Sequence, residues 1–166
     1  MIKSSHESGK KYTLEELREE VLTLAIAGGD TSATGTCFTA TLLSQHADIQ
    51  EKVYQEIIEV LGEDRPIEMG DLHKLKYMDA VIKETLRLYP PVPLINRYMK
   101  QETQISSDIL LERQDTVLNV WGLHHNPHHW GPDVEEFNPD RLSIRNVINE
   151  DSSCYTFEKF PFEAGN

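Results

Sequence analysis

The chain has 166 residues, 39% hydrophobic and 27% charged, and 28 acidic residues against 16 basic ones give a formal charge of −12. That length sets an expectation of one domain, and the apolar share excludes a disordered chain. The acidic excess argues against nucleic acid or anionic lipid as a partner, because both ask for a basic footprint.

Residues 2–11 read as a polar linker, without the apolar centre of a secretory signal. A helix start follows. Thr13 and Glu16 stand at capping-box spacing, and Glu15, Glu16, Glu19 and Glu20 suit the positive end of a helix. Leu14, Leu17, Val21, Leu24 and Ala25 keep a helical period. From residue 21 to 43 the only formal charge is Asp30. A helix without a polar face is normally buried on all sides. Gly28 and Gly29 should interrupt this one, since each costs about 1 kcal/mol in a helix interior relative to alanine. Its longest apolar stretch, 21–27, already contains Thr23 and is far too short to span a bilayer.

A second helix is expected over 48–61, with Ile49, Val53, Ile57, Val60 and Leu61 apolar and Gly62 as its stop. Residues 63–70 read as a loop, 71–76 as a short helix and 77–88 as a third strong helix, ended by Tyr89-Pro90-Pro91. After Pro93 the texture turns to strand. Residues 97–100, 103–105, 109–111 and 116–120 are short candidates, and 121–125 is one helical turn. Asn126-Pro127, Gly131-Pro132 and Asn138-Pro139 are turn dipeptides in a long irregular segment. Helices first, then short strands and coil, make a mainly α, α+β chain.

Four groups of residues could carry chemistry. Ala27-Gly28-Gly29-Asp30-Thr31-Ser32 sets a carboxylate and a hydroxyl beside two helix-weakening glycines in an uncharged helix. Burying an unpaired carboxylate costs several kcal/mol, a cost that proton-moving sites tolerate. A glycine pair also lets a flat or diatomic ligand approach the backbone. The same run fits a kink whose Asp30 is paired and whose Thr31 bonds to the preceding turn. Glu84 and Arg87 lie on one helix face, and alone they read as a surface ion pair worth under 1 kcal/mol. His124, His125, His128 and His129 invite a metal site or a metal-dependent hydrolase. Adjacent histidines point different ways and Pro127 splits the pairs, so solvated loop histidines fit better. The fourth group is Phe137-Asn138-Pro139-Asp140-Arg141, followed by Phe160-Pro161-Phe162-Glu163-Ala164-Gly165.

In this order, these segments resemble the haem–thiolate monooxygenases of the cytochrome P450 family, with a texture nearest the insect and microsomal members. The run from Ala27 to Ser32 resembles the oxygen-binding groove of the long central I helix. Glu84-x-x-Arg87 resembles the K-helix signature, and Tyr89-Pro90-Pro91-Val92-Pro93 continues in the same way. Residues 121–127 and Phe137-x-Pro139-x-Arg141 resemble the segments before the haem loop. The resemblance implies roles. Asp30 and Thr31 would deliver protons to dioxygen, with Gly28 and Gly29 opening the groove over haem b. Glu84, Arg87 and Arg141 would form a buried network locking the meander coil. Arg97 would hold a haem propionate. Ala27, Val92, Leu94 and Ile95 would line a pocket for a small apolar substrate. Phe162 and Gly165 would open the haem loop. NADPH-derived electrons would arrive through a flavoprotein reductase, at the cytoplasmic face of the endoplasmic reticulum membrane.

The resemblance also shows departures. The axial cysteine would fall three residues beyond Asn166, and neither Cys37 nor Cys154 has its context. Cys37 reads as a buried small hydrophobe and Cys154 as an incidental thiol. Ala27 stands where some relatives carry the glutamate of a covalent haem ester, so that ester cannot form. The expectation is a partial domain over 1–166, running from the I helix to the start of the haem loop. The membrane anchor, the early helices and the C-helix propionate partners are missing from it. A thiolate tunes the iron for oxygen chemistry. The isolated chain is therefore expected to be marginally stable, to bind haem weakly and to be inactive, with apolar faces of the central helix exposed. The alternative is a truncated, inactive remnant acting at most as an interaction module.

Overall fold

The computed structural model describes residues 12–62, 65–106 and 108–142. Residues 2–11, Cys154, Phe162 and Gly165 lie outside them. The described residues are mostly helical with two small antiparallel sheets, as the mainly α, α+β reading expects.

Helix α1, Leu14–Gln45, opens on the expected capping box. Thr13 Oγ1 accepts from the Glu16 amide at 3.2 Å, and the Thr13 amide donates to Glu16 Oε2 at 2.8 Å. Two expectations for α1 fail. The helix runs unbroken through Gly28 and Gly29 for 32 residues. Propagation within a formed helix is cooperative, and about 2 kcal/mol of glycine cost does not stop it. Nor is α1 buried on all sides: Leu42 alone of its residues is buried, and Leu14 and Ile26 are 88% and 68% exposed. Among the described residues its packing partners meet its C-terminal half. Phe38 stacks on Tyr89 at 5.0 Å, and a β-carbon at Gly35 would stand 3.5 Å from Leu86 Cδ2. The exposed apolar face follows the resemblance instead. Hydroxyls along α1 satisfy themselves: Thr23, Thr31, Thr36, Thr39 and Thr41 each donate to the carbonyl four residues back.

Helix α2, Ala47–Leu61, ends at Gly62, whose φ of 74° is the left-handed conformation a glycine takes without strain. Helix α3, Lys76–Leu88, follows a 3₁₀ turn at Leu72–Lys74. Ile49 and Val53 of α2 and Val81 of α3 form the core, with Leu43, Ile57, Met78 and Phe137 packed around them. No side chain beside α3 in sequence caps its first turn. Glu56 does so from α2, its two oxygens accepting from the Tyr77 amide at 2.7 Å and the Met78 amide at 2.9 Å. A buried carboxylate, Asp71, pins the α2–α3 connection by accepting from Arg65 at 2.8 Å, Lys74 at 3.1 Å and the Glu68 amide at 3.1 Å.

Strand β1, Leu94–Tyr98, pairs antiparallel with β4, Asp115–Asn119, from Leu94↔Asn119 to Tyr98↔Asp115. Between them β2, Thr103–Ser106, and β3, Ile109–Leu111, form a hairpin. β1 starts three residues earlier than expected because pairing with β4 sets its span. The long irregular segment is more regular than expected. Asn119 caps α4, Val120–His124, by accepting from the Gly122 amide, and Asn126 caps α5, Pro127–Trp130, by accepting from the His128 amide. Asn126-Pro127 is thus a cap followed by a proline at the first helical position, not a plain turn. A 3₁₀ turn at Pro139–Leu142 follows.

Glu56→Ala should cost about 1–2 kcal/mol of stability, as lost caps do, read as a lower urea midpoint. Asp71 gives an acid dependence. The Arg65 hydrogen bond, then the Glu68 amide and Lys74, hold its carboxyl well below the usual carboxylate range. A depressed folded value favours the anion, so this contribution is full above about pH 4 and fades as the pH falls below it. Urea midpoints between about pH 5 and 2.5 should drop less steeply in Asp71→Asn than in the wild type.

Candidate functional site

Helix α3 turns one broad face inward: Ala80, Val81, Glu84, Thr85, Arg87 and Leu88 are buried. That face carries a full ion pair, with Glu84 0% and Arg87 2% exposed. The surface pair of the bare spacing is therefore corrected, because the side of α3 that bears the pair is the side that packs. Arg87 grips both carboxylate oxygens, Nε to Oε2 and Nη2 to Oε1, each at 2.8 Å. The remaining donors cross to other elements: Nη1 donates to His124 O at 3.0 Å and Nη2 to Glu136 O at 3.3 Å. The guanidinium lies 5.0 Å from the centre of the Trp130 ring. Planar, forked and weakly hydrated, a guanidinium suits this dry position as an ammonium would not.

Glu84 reaches onward as well. Its Oε1 accepts from the Asn138 amide at 3.2 Å. Arg141 Nε stands 3.4 Å from the same oxygen and takes no hydrogen bond, so that contact is Coulombic. The rest of the Arg141 fork donates to Trp130 O at 2.7 Å, Asp133 O at 3.0 Å and Asp133 Oδ2 at 2.7 Å. The Arg141 hydrogen bond holds the Asp133 carboxyl below its ordinary value. Glu84, Arg87 and Arg141 are thus brought together, and residues 130–141 are tied to α3.

Against known proteins, the sequence model of the family described as Cytochrome P450 matches residues 1–166. The chain belongs to the cytochrome P450 family. It is 36% identical over 166 residues to Cytochrome P450 4V2 of Mus musculus, covering 99% of this chain and 31% of that protein. It is 35% identical over 164 residues to Cytochrome P450 4d8 of Drosophila melanogaster, covering 95% and 34%. Cytochrome P450 4F2 of Homo sapiens is 36% identical over 168 residues, covering 99% and 31%. The chain spans about a third of the length of these curated relatives.

The cytochrome P450 family implies haem, and the residues present fit part of its surroundings. Arg97 is exposed, and among the described residues its hydrogen bond runs to the Asn96 carbonyl at 3.0 Å. A five-donor fork with one donor so used suits a carboxylate such as a propionate. Among the described residues a β-carbon at Gly28 or Gly29 would meet nothing within 4 Å, so the backbone there is open to a ligand as far as they go. The fit stops at the iron: Cys37 is an exposed thiol on α1, not the buried small hydrophobe expected, because that side of α1 has no packing partner among the described residues, and no other cysteine lies among them.

The other expected site residues are scattered. Asp30 is exposed rather than buried, and Thr31 Oγ1 donates to Ala27 O at 2.8 Å, the back-bond of the plainer reading. Ala27, Val92 and Leu94 are exposed and Ile95 is half-buried. Leu94 and Ile95 leave β1 on opposite faces, and Ile95 shares its face with Arg97. The solvated-histidine reading holds for His128 and His129 alone. His124 is buried against α3, and the His125 ring, 6% exposed at its side chain, stacks on Trp121 at 4.1 Å. Among the described residues no group of His, Cys, Asp or Glu can hold a metal ion. Sequence reasoning missed Glu56 and Asp133, and it named His124 only as a metal or loop histidine. Nothing in their local spacing marks them, because each acts on an element remote in the chain or in packing.

Arg87→Ala leaves Glu84 buried without its partner and should cost about 3–5 kcal/mol, the usual result of breaking a buried pair. Replacing Glu84 and Arg87 together by apolar residues of similar volume should cost clearly less. Urea titrations followed by the fluorescence of Trp121 and Trp130 compare the two.

Proposed function

We propose that this chain is the I-helix-to-meander part of a haem-dependent monooxygenase, which inserts one oxygen atom from dioxygen into a small apolar organic substrate. The observation that carries the reading is the family match across residues 1–166. The buried Glu84–Arg87–Arg141 network supports it. In this reading residues 1–166 are a partial domain, and NADPH-derived electrons arrive through a flavoprotein reductase. The whole protein works at the cytoplasmic face of the endoplasmic reticulum membrane. Among the described residues no helix is long and apolar enough to cross a membrane, so an anchor would be supplied elsewhere.

Haem b, when bound, supplies the iron that activates dioxygen. The chain supplies position and protons. Gly28 and Gly29 keep the α1 backbone bare where a small ligand approaches. Thr31 spends its hydroxyl hydrogen on Ala27 O, which leaves the Oγ1 lone pairs free to accept from a donor such as water. Asp30, next along the same turn, is the carboxylate that exchanges protons with solvent. Arg97, on the Ile95 face of β1, would hold and neutralise a haem propionate. Ile95, with Ala27, Val92 and Leu94, offers apolar surface to the substrate.

Sequencing the transcript through the Asn166 codon tests the reading. A cysteine codon in frame three residues on supports it, and a stop codon would leave the inactive remnant instead. In the extended protein, Thr31→Ala should lower product formation about 100-fold while sparing haem content, the usual scale for losing a proton-handling group. The 166-residue chain alone should be inactive and should show no reduced-CO absorption of the thiolate type.

A further inference from the structure

His124 and Arg87 stand 37 positions apart and exchange hydrogen bonds. Arg87 Nη1 donates to His124 O at 3.0 Å, and His124 Nδ1 lies 3.1 Å from Arg87 O. A carbonyl oxygen only accepts, so Nδ1 carries the hydrogen and the neutral ring is the Nδ1–H tautomer. Arg87 belongs to the last turn of α3, where carbonyls lack partners within the helix. The imidazole therefore caps the C-terminal end of α3 from α4, as Glu56 caps its N-terminal end from α2. The His124 ring meets Trp130 edge-on at 6.3 Å, on the ring that also carries the Arg87 guanidinium.

The cap depends on charge. A second proton on His124 would set a cation in the dry space that already holds Arg87. The packed elements bring Arg87 and Glu84 from α3, His125 from α4 itself, exposed His128 and His129 from α5, exposed Arg97 from β1, and Asp133, Glu135, Glu136 and Arg141 from the segment after α5. Among the described residues Glu84 is shared by Arg87, Arg141 and the Asn138 amide, Asp133 is held by Arg141, Glu135 stands 3.8 Å from His125 Nε2, and Glu136 is exposed. Burial holds the His124 imidazole below the ordinary histidine value. The hydrogen bond to Arg87 opposes this, and the charge of Arg87 adds to it.

We propose that His124 is a positioning residue: as a neutral imidazole it clamps the end of α3 to α4 and holds Arg87 on residues 130–141, and acidification opens that clamp. The inference rests on this geometry and stands apart from the haem reading. A ring favoured neutral in the folded state contributes fully above about pH 6.5 and loses its contribution as the pH falls below that.

Hydrogen exchange on the full 166-residue chain between pH 8 and 5, corrected for intrinsic rates, reads the clamp. Protection over 84–88 and 130–141 should fall below about pH 6.5, by up to about tenfold per pH unit, while 49–57 in α2 keep theirs. His124→Asn places an N–H near the Nδ1 position without titrating, so it should keep the protection and lose the pH dependence. His124→Ala should lower protection at every pH. Flat wild-type protection, equal loss over 49–57, or an unchanged pH dependence in His124→Asn would overturn the proposal. Histidine ring NMR of the wild type gives a second reading that needs no variant. It should report an Nδ1–H tautomer titrating below free histidine, and an Nε2–H tautomer or titration at the free value would equally overturn it.

Discussion

Taking Glu84 and Arg87 out of water together is the costly act on which the rest of the described structure depends. Each ion alone would forfeit several kcal/mol of hydration in such a place. The pair is tolerated because the fork grips both carboxylate oxygens and because every further bond it makes leaves α3. Those outward bonds end on backbone carbonyls of residues 124 and 136, so the pair fixes chain path rather than side-chain identity. Arg141 repeats the device, gripping Asp133 and the Trp130 carbonyl. A segment with little regular structure of its own is thereby held in one shape.

The caps on α3 belong to the same design. Helix ends leave amides and carbonyls unpaired, and α3 lacks a neighbouring side chain to serve its first turn. Glu56 from α2 and His124 from α4 serve the two ends. The helix that carries the buried pair is therefore pinned at both ends by elements it also packs against.

Helix α1 divides into two unlike halves. Its C-terminal half meets α3 at Gly35 and the following Tyr89 through Phe38, while its N-terminal half shows Val21, Leu22, Leu24 and Ile26 to solvent. The run from Ala27 to Thr31 lies near that boundary and has no packed wall around it among the described residues. The back-bonded hydroxyls there need no outside partner, so this part of the helix leaves them satisfied without tertiary contacts. The buried network and the chemistry-bearing run are thus supported differently, one by tertiary contacts and the other by the helix alone.

What was legible in the residues was what local physics governs. The Thr13 capping box, the Gly62 stop and the end of α3 before Pro90 all come from bonds within a few positions of one another. So does the order of segments, which is enough to identify the family. Other features depend on what meets what. The spacing of Glu84 and Arg87 fits a surface pair as well as a buried one, and only packing of that face of α3 separates them. Asn126-Pro127 reads as a turn until its cap bond forms. β1 takes its span from β4, and His124 takes its burial and tautomer from Arg87, 37 positions away. A sequence states which bonds a residue can make. Which of them it makes is settled when remote segments close off water, because a polar group then has to take the partner the fold brings to it.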